Sequence, residues 1–150
     1  MKKIWALGLV LLALDRFAKA WAQMSLRASG DIVLLPGVLS LSYAQNTGAA
    51  FSAFSGNGLL LGIVSMVMIA IVFAVCMRAH GLPTLARSGL LLIVLGGVSN
   101  AFDRFVFGYV VDYIELLFVR FAIFNVADIM VCVGAGLTAL SLLTCPKERG

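Results

Sequence analysis

Between residues 59 and 77 the chain reads LLLGIVSMVMIAIVFAVCM, with no charge and Ser65 as its one hydroxyl. In hydrocarbon such a stretch can satisfy its peptide groups only within its own backbone, so it must be a helix. A bilayer-spanning helix needs about 20 mostly apolar residues. Three more stretches meet that measure: about Ile4 to Gln23, about Leu85 to Phe102 and about Ile123 to Leu143. Only 12% of the residues are charged and 62% are hydrophobic, whereas a soluble domain carries about 25% charge. The expected fold is a membrane all-α bundle of four transmembrane helices, forming one domain over residues 1–150.

The first span also has the outline of a secretion signal, with MKK, then IWALGLVLLAL, then the small residues of AKAWA. Asp15, Arg16 and Lys19 interrupt the region where cleavage would fall. The segment is therefore read as a retained helix. Orientation follows from the basic residues. Lys2, Lys3, Arg78, Arg87, Lys147 and Arg149 flank one side, whereas Arg27 and Arg120 lie on the other, with Arg104 at its border. Basic loops stay in the cytoplasm, so both termini and loop 78–87 are expected inside, and segments 24–58 and 103–122 outside.

The formal charge of +4 does not imply a nucleic-acid partner, because no basic run is interleaved with aromatic residues. Cys76, Cys132 and Cys145 show neither C-x-x-C nor metal-ligand spacing and read as small hydrophobes. His80 is the only histidine and sits in the short basic loop, so no metal or cofactor is expected. Trp5, Trp21 and the phenylalanines read as lipid-facing or interfacial anchors. Gly58 and Gly62 form a G-x-x-x-G that implies at most close helix packing. In the outer segment, DIVLLPGVLSLSYAQNTGAAFSAF has alternating and β-branched stretches around Pro36-Gly37, which predicts a small antiparallel sheet resting on the bundle.

Against this background the acids stand out. Asp112 lies in VVDY and Asp128 in FNVAD, at the head of the fourth span. An ionised carboxylate at the centre of a spanning helix costs roughly 2.5–3.5 kcal/mol, so an acid in such a segment implies a use. Asn125 and Asp128 are three apart and share a helix face. Asn100, Asp103 and Arg104 form a second cluster at the end of the third span; Asp112 and Glu115 lie between the clusters, and Asn46 lies in the sheet segment. Each residue also has a plainer reading. Asn125 and Asp128 can be helix caps, and Asp103–Arg104 an interfacial ion pair. Asp112 can be a solvated loop acid, and Asp15 and Lys19 a structural i,i+4 pair.

Taken together, NTGAAFS, GGVSNAFDRFVFGYVVDYIE and FNVADIMVCVG on four spans, with LDRFAKAW near the start, closely resemble the lipoprotein signal peptidases. These are bacterial aspartyl proteases of the inner membrane. The resemblance implies that Asp112 and Asp128 form the catalytic dyad, with Asn46, Asn100 and Asn125 lining the site and Arg104 contacting substrate. It gives Asp15 and Lys19 a more structural role, and it implies a β-cradle and a short mobile extramembrane helix on the outer, periplasmic side. The implied partners are prolipoproteins carrying a diacylglyceryl-cysteine, and membrane lipids.

Two neighbouring carboxylates share one proton, so one activates water while the other protonates the scissile carbonyl. Which aspartate carries that proton is left open. A transporter or proton relay using the same acids is the alternative. It would spread polar residues through the membrane depth, and a non-catalytic scaffold would give no reason for the cluster.

Overall fold

The computed structural model describes residues 2–48, 57–78 and 81–144. Helix α1 (Lys2–Trp21) runs on through a π-helical turn, Ala22–Leu26, into one short helical turn, α2 (Arg27–Ser29). Strands β1 (Ile32–Leu35) and β2 (Leu39–Asn46) follow, then α3 (Gly58–Arg78), α4 (Thr84–Phe107), β3 (Val110–Leu116) and α5 (Val126–Thr144). Helices α3, α4 and α5 are each long and apolar enough to cross a membrane. They coincide with the last three predicted spans to within a few residues, except that α4 continues to Phe107. Helix α1 matches the first predicted span in position, but it carries three charges near its sheet end.

Small residues set the spacing of the bundle. At the crossing of α4 and α5, a Cβ added to Gly134 would lie 2.5 Å from the Gly89 carbonyl oxygen, and one added to Gly96 would lie 2.5 Å from that of Ala127. Backbones this close gain dispersion contacts that lipid tails cannot supply. Leu91 and Leu95 of α4 and Met130 of α5 fill the adjacent core, with Leu11 and Leu12 of α1 against them. Gly58 and Gly62 are buried at the start of α3, where they lie against Gly108 and against Arg104 and Phe105. The G-x-x-x-G is thus a packing device between α3 and α4.

The sheet is antiparallel in the order β1-β2-β3. Val38 donates to the Leu35 carbonyl across Pro36-Gly37, and Gly37 has φ +71°. That is the geometry of a turn with Pro at its second position and Gly at its third. The third strand is a departure from expectation, since segment 103–122 reads as connection in the sequence. Two features explain it. Gly108, at φ +80°, ends α4 in the left-handed conformation and donates to the Arg104 carbonyl. VVDY, with its β-branched valines, then pairs with β2. Val111 and Tyr113 pack on Ala22 and Leu26, which seats the sheet on the extension of α1. Among the described residues no separate outer helix appears beyond the turns at 22–29 that continue α1. Residues 49–56 of the outer segment, His80 and Cys145 lie outside the described residues.

The crossing predicts a sharp contrast between two glycines of one helix. Gly134→Val should destabilise the detergent-solubilised protein by about 1–3 kcal/mol, as overpacking does, and so lower its thermal midpoint. Gly136, where an added Cβ meets nothing within 4 Å, should accept Ala with no loss. Equal midpoints for Gly134→Val and the parent protein would contradict the packing described.

Candidate active site

Four segments converge at the sheet-bearing end of the bundle. Helix α5 begins with a reciprocal cap. The Asn125 side-chain oxygen accepts from the Asp128 backbone N–H at 2.9 Å, and the Asp128 carboxylate accepts from the Asn125 N–H at 3.1 Å. This is capping-box chemistry with Asp in the place of Glu. The plain reading of Asn125 and Asp128 as caps is therefore correct as geometry, but it does not exhaust either residue. Asn125 Nδ2 also donates to Asp112 at 2.6 Å, and Asp128 Oδ1 accepts from Asn100 Nδ2 at 2.7 Å. One asparagine thus joins the two predicted catalytic acids.

Asp112 is no loop acid. It lies in β3 with 1% of its surface exposed. The segment after β3 folds back so that Phe124 exchanges backbone hydrogen bonds with Ile114, which delivers Asn125 beside Asp112. Asn46 reaches Asp112 from the other side, with Nδ2 2.9 Å from Oδ2. A register shift makes that contact possible. Leu41 pairs with Ile114, yet Ala44 pairs with Asp112 and Asn46 with Val110, so β2 holds one extra residue between 41 and 44. Without this bulge Gln45 would share the face of Asp112 and Asn46 would point away.

Burial, and then the neighbouring Asp128 carboxylate, push the Asp112 carboxyl up to about 6, against the pull of donors from Asn46 and Asn125. Two acids placed so close do not ionise together readily. They can hold a single proton between them, which is the state from which one acts as base and the other as acid.

A cavity of about 480 Å³ opens beside the pair. Asn46, Arg104 and Asp128 supply its polar edge, while Ile129, Cys132 and Val133 continue it down the face of α5 as an apolar wall. Arg104 Nη2 donates to the Gly48 carbonyl at 3.2 Å, and its buried Nε–H meets no acceptor among the described residues. Cys132 therefore belongs to the cavity wall, and it is a free thiol. No cluster of His, Cys, Asp and Glu suited to a metal occurs among the described residues.

Asp103 does not pair with Arg104, its neighbour in the sequence. It turns inward to Arg16 and to Lys19 of α1, the latter at 2.9 Å. A residue and its immediate neighbour project about 100° apart on a helix, so an interior acid and a cavity-facing arginine can be adjacent in sequence. Asp15 and Lys19 are paired at 3.2 Å and almost wholly buried. Asp15 also accepts from Ser99 Oγ at 2.5 Å and from the Ala127 N–H at 2.8 Å. It thereby satisfies one of the free donors in the first turn of α5. Arg16 and Ser99 are the members of this network that the sequence reading leaves out. Ser99 adjoins Asn100, and Arg16 adjoins Asp15, but nothing in their spacing marks Ser99 as internal or the half-buried Arg16 as a partner of Asp103.

The fold and the site together define a helical membrane-type protein with a carboxylate pair, one member buried and the other half-buried, at one end of its bundle. The family model of signal peptidase (SPase) II matches residues 7–144. The lipoprotein signal peptidase of Streptococcus thermophilus (strain CNRZ 1066) is 37% identical over 142 residues, covering 95% of this chain and 92% of that protein. That of Gloeobacter violaceus is 34% identical over 144 residues, covering 96% and 82%. A bacterial membrane enzyme solved by the in meso method at 2.3 Å has the same fold, with a TM-score of 0.89 at 21% identity over 100% of this chain and 94% of that one. This chain belongs to the signal peptidase II family.

The raised Asp112 carboxyl has a consequence for stability. A proton held more tightly in the folded state than in the unfolded one favours folding at low pH, and that advantage is lost as pH rises through the folded value. The window runs from the ordinary value of 3.8 to about 6. Asp112→Asn removes the titration. Its stability relative to the parent protein should therefore improve across that window by roughly 2 kcal/mol. Thermal midpoints of both proteins, measured in detergent at several pH values, would reveal it; parallel curves would refute the shift.

Proposed function

We propose that this chain is an aspartic endopeptidase that removes signal peptides from diacylglyceryl-modified prolipoproteins by cleaving just before the lipidated cysteine. One observation carries the reading: Asp112 and Asp128 are bridged by Asn125 beside a cavity that is polar at the acids and apolar along α5. The ionised member of the pair takes a proton from water, and the protonated member donates to the scissile carbonyl. The roles exchange as the amine leaves. Asn46, Asn100 and Asn125 hold the acids in register, and Arg104, at the polar edge of the cavity, turns its guanidinium to the peptide backbone of the substrate. The acyl chains lie along Ile129, Cys132 and Val133, so the lipid stays in an apolar setting while the peptide bond meets water.

The same reading makes the protein a single domain with four spans, α1 being the fourth. Asp15 and Lys19 turn inward, whereas Leu7, Leu9, Val10, Leu14 and Phe17 are exposed on the outside of the helix, where lipid would cover them. The basic residues orient it in the bacterial cytoplasmic (inner) membrane, with both termini inside and the aspartates at the outer face. The clustering of acids at one end argues against a relay across the membrane.

Purified protein given a diacylglyceryl-modified prolipoprotein should release the signal peptide. Asp112→Asn and Asp128→Asn should each cut the rate by about a thousandfold or more, within the range that general acid–base groups supply. Near-normal turnover by either folded variant would refute the dyad. Arg104→Lys keeps the charge but loses the planar fork, and should lower kcat/KM about tenfold. Unchanged kcat/KM would reduce Arg104 to a charge at the membrane border.

A further inference from the structure

Lys19 is the most deeply buried cation among the described residues, with 1% exposure. Its ammonium has three hydrogens and three partners: Asn100 Oδ1 at 2.7 Å, Asp103 Oδ2 at 2.9 Å and Asp15 Oδ2 at 3.2 Å. An ammonium can only donate. The atom of Asn100 that faces it must therefore be the oxygen, and the NH2 group must face the other way. That group donates to Asp128 Oδ1 at 2.7 Å. The same Asn100 oxygen accepts from Asn125 Nδ2, which also reaches Asp112. So the Asn100 amide, which contacts one aspartate, takes its orientation from Lys19 and presents its oxygen to the capping amide of Asn125, which reaches the other.

The charge count points the same way. The groups around the pair are Asp15, Arg16 and Lys19 from α1, Asp103 and Arg104 from α4, Asp112 from β3 and Asp128 from α5. Tyr113 of β3 is neutral, its hydroxyl pushed up by burial and then by Asp15. Glu115 lies farther along β3, engaged by Ser42 at 2.6 Å. Four aspartates face three cations, so the cluster is electrically neutral when the Asp112–Asp128 pair holds one proton. Asp15, Lys19, Asp103 and Asp112 are buried, while Arg16, Arg104 and Asp128 are half-buried at the edge; a cluster with such a core resists net charge, because desolvated charge is costly unless it is balanced. Without Lys19, neutrality calls for a second proton on the pair, which removes the base.

We propose that Lys19 is a positioning residue for the aspartate pair, orienting Asn100 toward Asp128 and holding the pair in its singly protonated state. This rests on the aspartic peptidase reading above, and it goes beyond the structural role that the family resemblance gives to Asp15 and Lys19. Its signature is electrostatic. Removing the cation makes both aspartates harder to ionise, so both limbs of the pH–rate profile move to higher pH. Removing an anion from the same cluster moves them to lower pH.

The test compares Lys19→Met, Lys19→Arg and Asp103→Asn in purified full-length protein. The readouts are the pH profile of prolipoprotein cleavage, the thermal midpoint and an infrared titration of the carboxyl band that Asp112→Asn abolishes. Lys19→Met should raise both limbs and the infrared midpoint by about one pH unit, the lower end of what a neighbouring opposite charge produces. Lys19→Arg should return them toward the parent values. Asp103→Asn, nearly isosteric, should lower them. A Lys19→Met protein that loses activity and thermal stability with both limbs unmoved would overturn the proposal. If that variant does not fold, Asp103→Asn decides alone, and unmoved limbs there overturn it. A parent protein whose carboxyl titrates and responds to Lys19→Met yet cleaves no prolipoprotein would strike the peptidase reading and leave the role of Lys19 intact.

Discussion

A charged side chain inside a helical bundle must find its counterpart before the helices around it can close. Here the charge is on Lys19, and its counterparts come from two helices, Asp15 from α1 itself and Asp103 from α4. Asp15 in turn accepts from Ser99 of α4 and from Ala127 at the start of α5. Thus one buried ion cluster fixes the depth and rotation of α1, α4 and α5 relative to one another. Buried ion pairs add little net stability, because desolvation consumes most of the Coulomb attraction. Their geometry is nonetheless exacting: a slip of one residue between α1 and α4 leaves a charge unpaired, and a slip of α5 takes the Ala127 N–H away from Asp15. The apolar faces of the bundle contain no comparable register signal.

That division of labour explains the distribution of the residues. Away from the sheet end, contacts are among leucines, valines and glycines, and the glycines let the backbones of α4 and α5 approach closely. Such packing holds the helices together but is tolerant of sliding. At the sheet end, beside the apolar contacts of Ala22, Leu26 and Val111, a network of polar groups joins the elements, and each hydrogen bond in it has a definite direction. Asn125 is the junction between the two regimes. It caps α5, as an asparagine at a helix start commonly does, and it meets one carboxylate with its side-chain amide and the other with its backbone N–H. A cap is already rigid, since both its backbone and its side chain are engaged. Building the acid pair on it costs no extra ordering.

The legibility of this arrangement in the sequence varies with the range of the interaction. The spans were readable because hydropathy is a local property, and α3 to α5 lie where LLLGIVSMVM and its counterparts predict. The turn at Pro36-Gly37 was readable for the same reason. The convergence of Asp112, Asp128 and the three asparagines was anticipated by residue type and spacing, with the family resemblance supplying the grouping. What escaped was set by tertiary context. VVDYIE reads as connection because a single short strand has no signal until β2 is beside it. The extra residue in β2 that turns Asn46 rather than Gln45 toward Asp112 leaves no mark in LSLSYAQN. Asp103 beside Arg104 suggests a pair, and only the rotation of α4 reveals that the acid points inward and the arginine toward the cavity.

The position of the acid pair follows from two demands that conflict elsewhere in the bundle. A carboxyl that takes up protons near neutrality needs dehydration, and the raised Asp112 carboxyl reflects this burial. Hydrolysis by the pair, as proposed above, needs water at the same atoms. Deep among α3, α4 and α5 the first condition would hold without the second; on an open sheet the second would hold without the first. The junction between helix ends and sheet satisfies both, because β3 carries Asp112 in from the sheet while the first turn of α5 carries Asp128 up from the helix. The cavity beside them is bounded by polar side chains on one edge and by the apolar face of α5 on the other. A peptide substrate with an attached lipid has the same division along its own length. On the proposed aspartic peptidase reading, the order of groups in such a substrate matches the order of surfaces in the cavity, and the scissile bond falls at the boundary where the two aspartates stand.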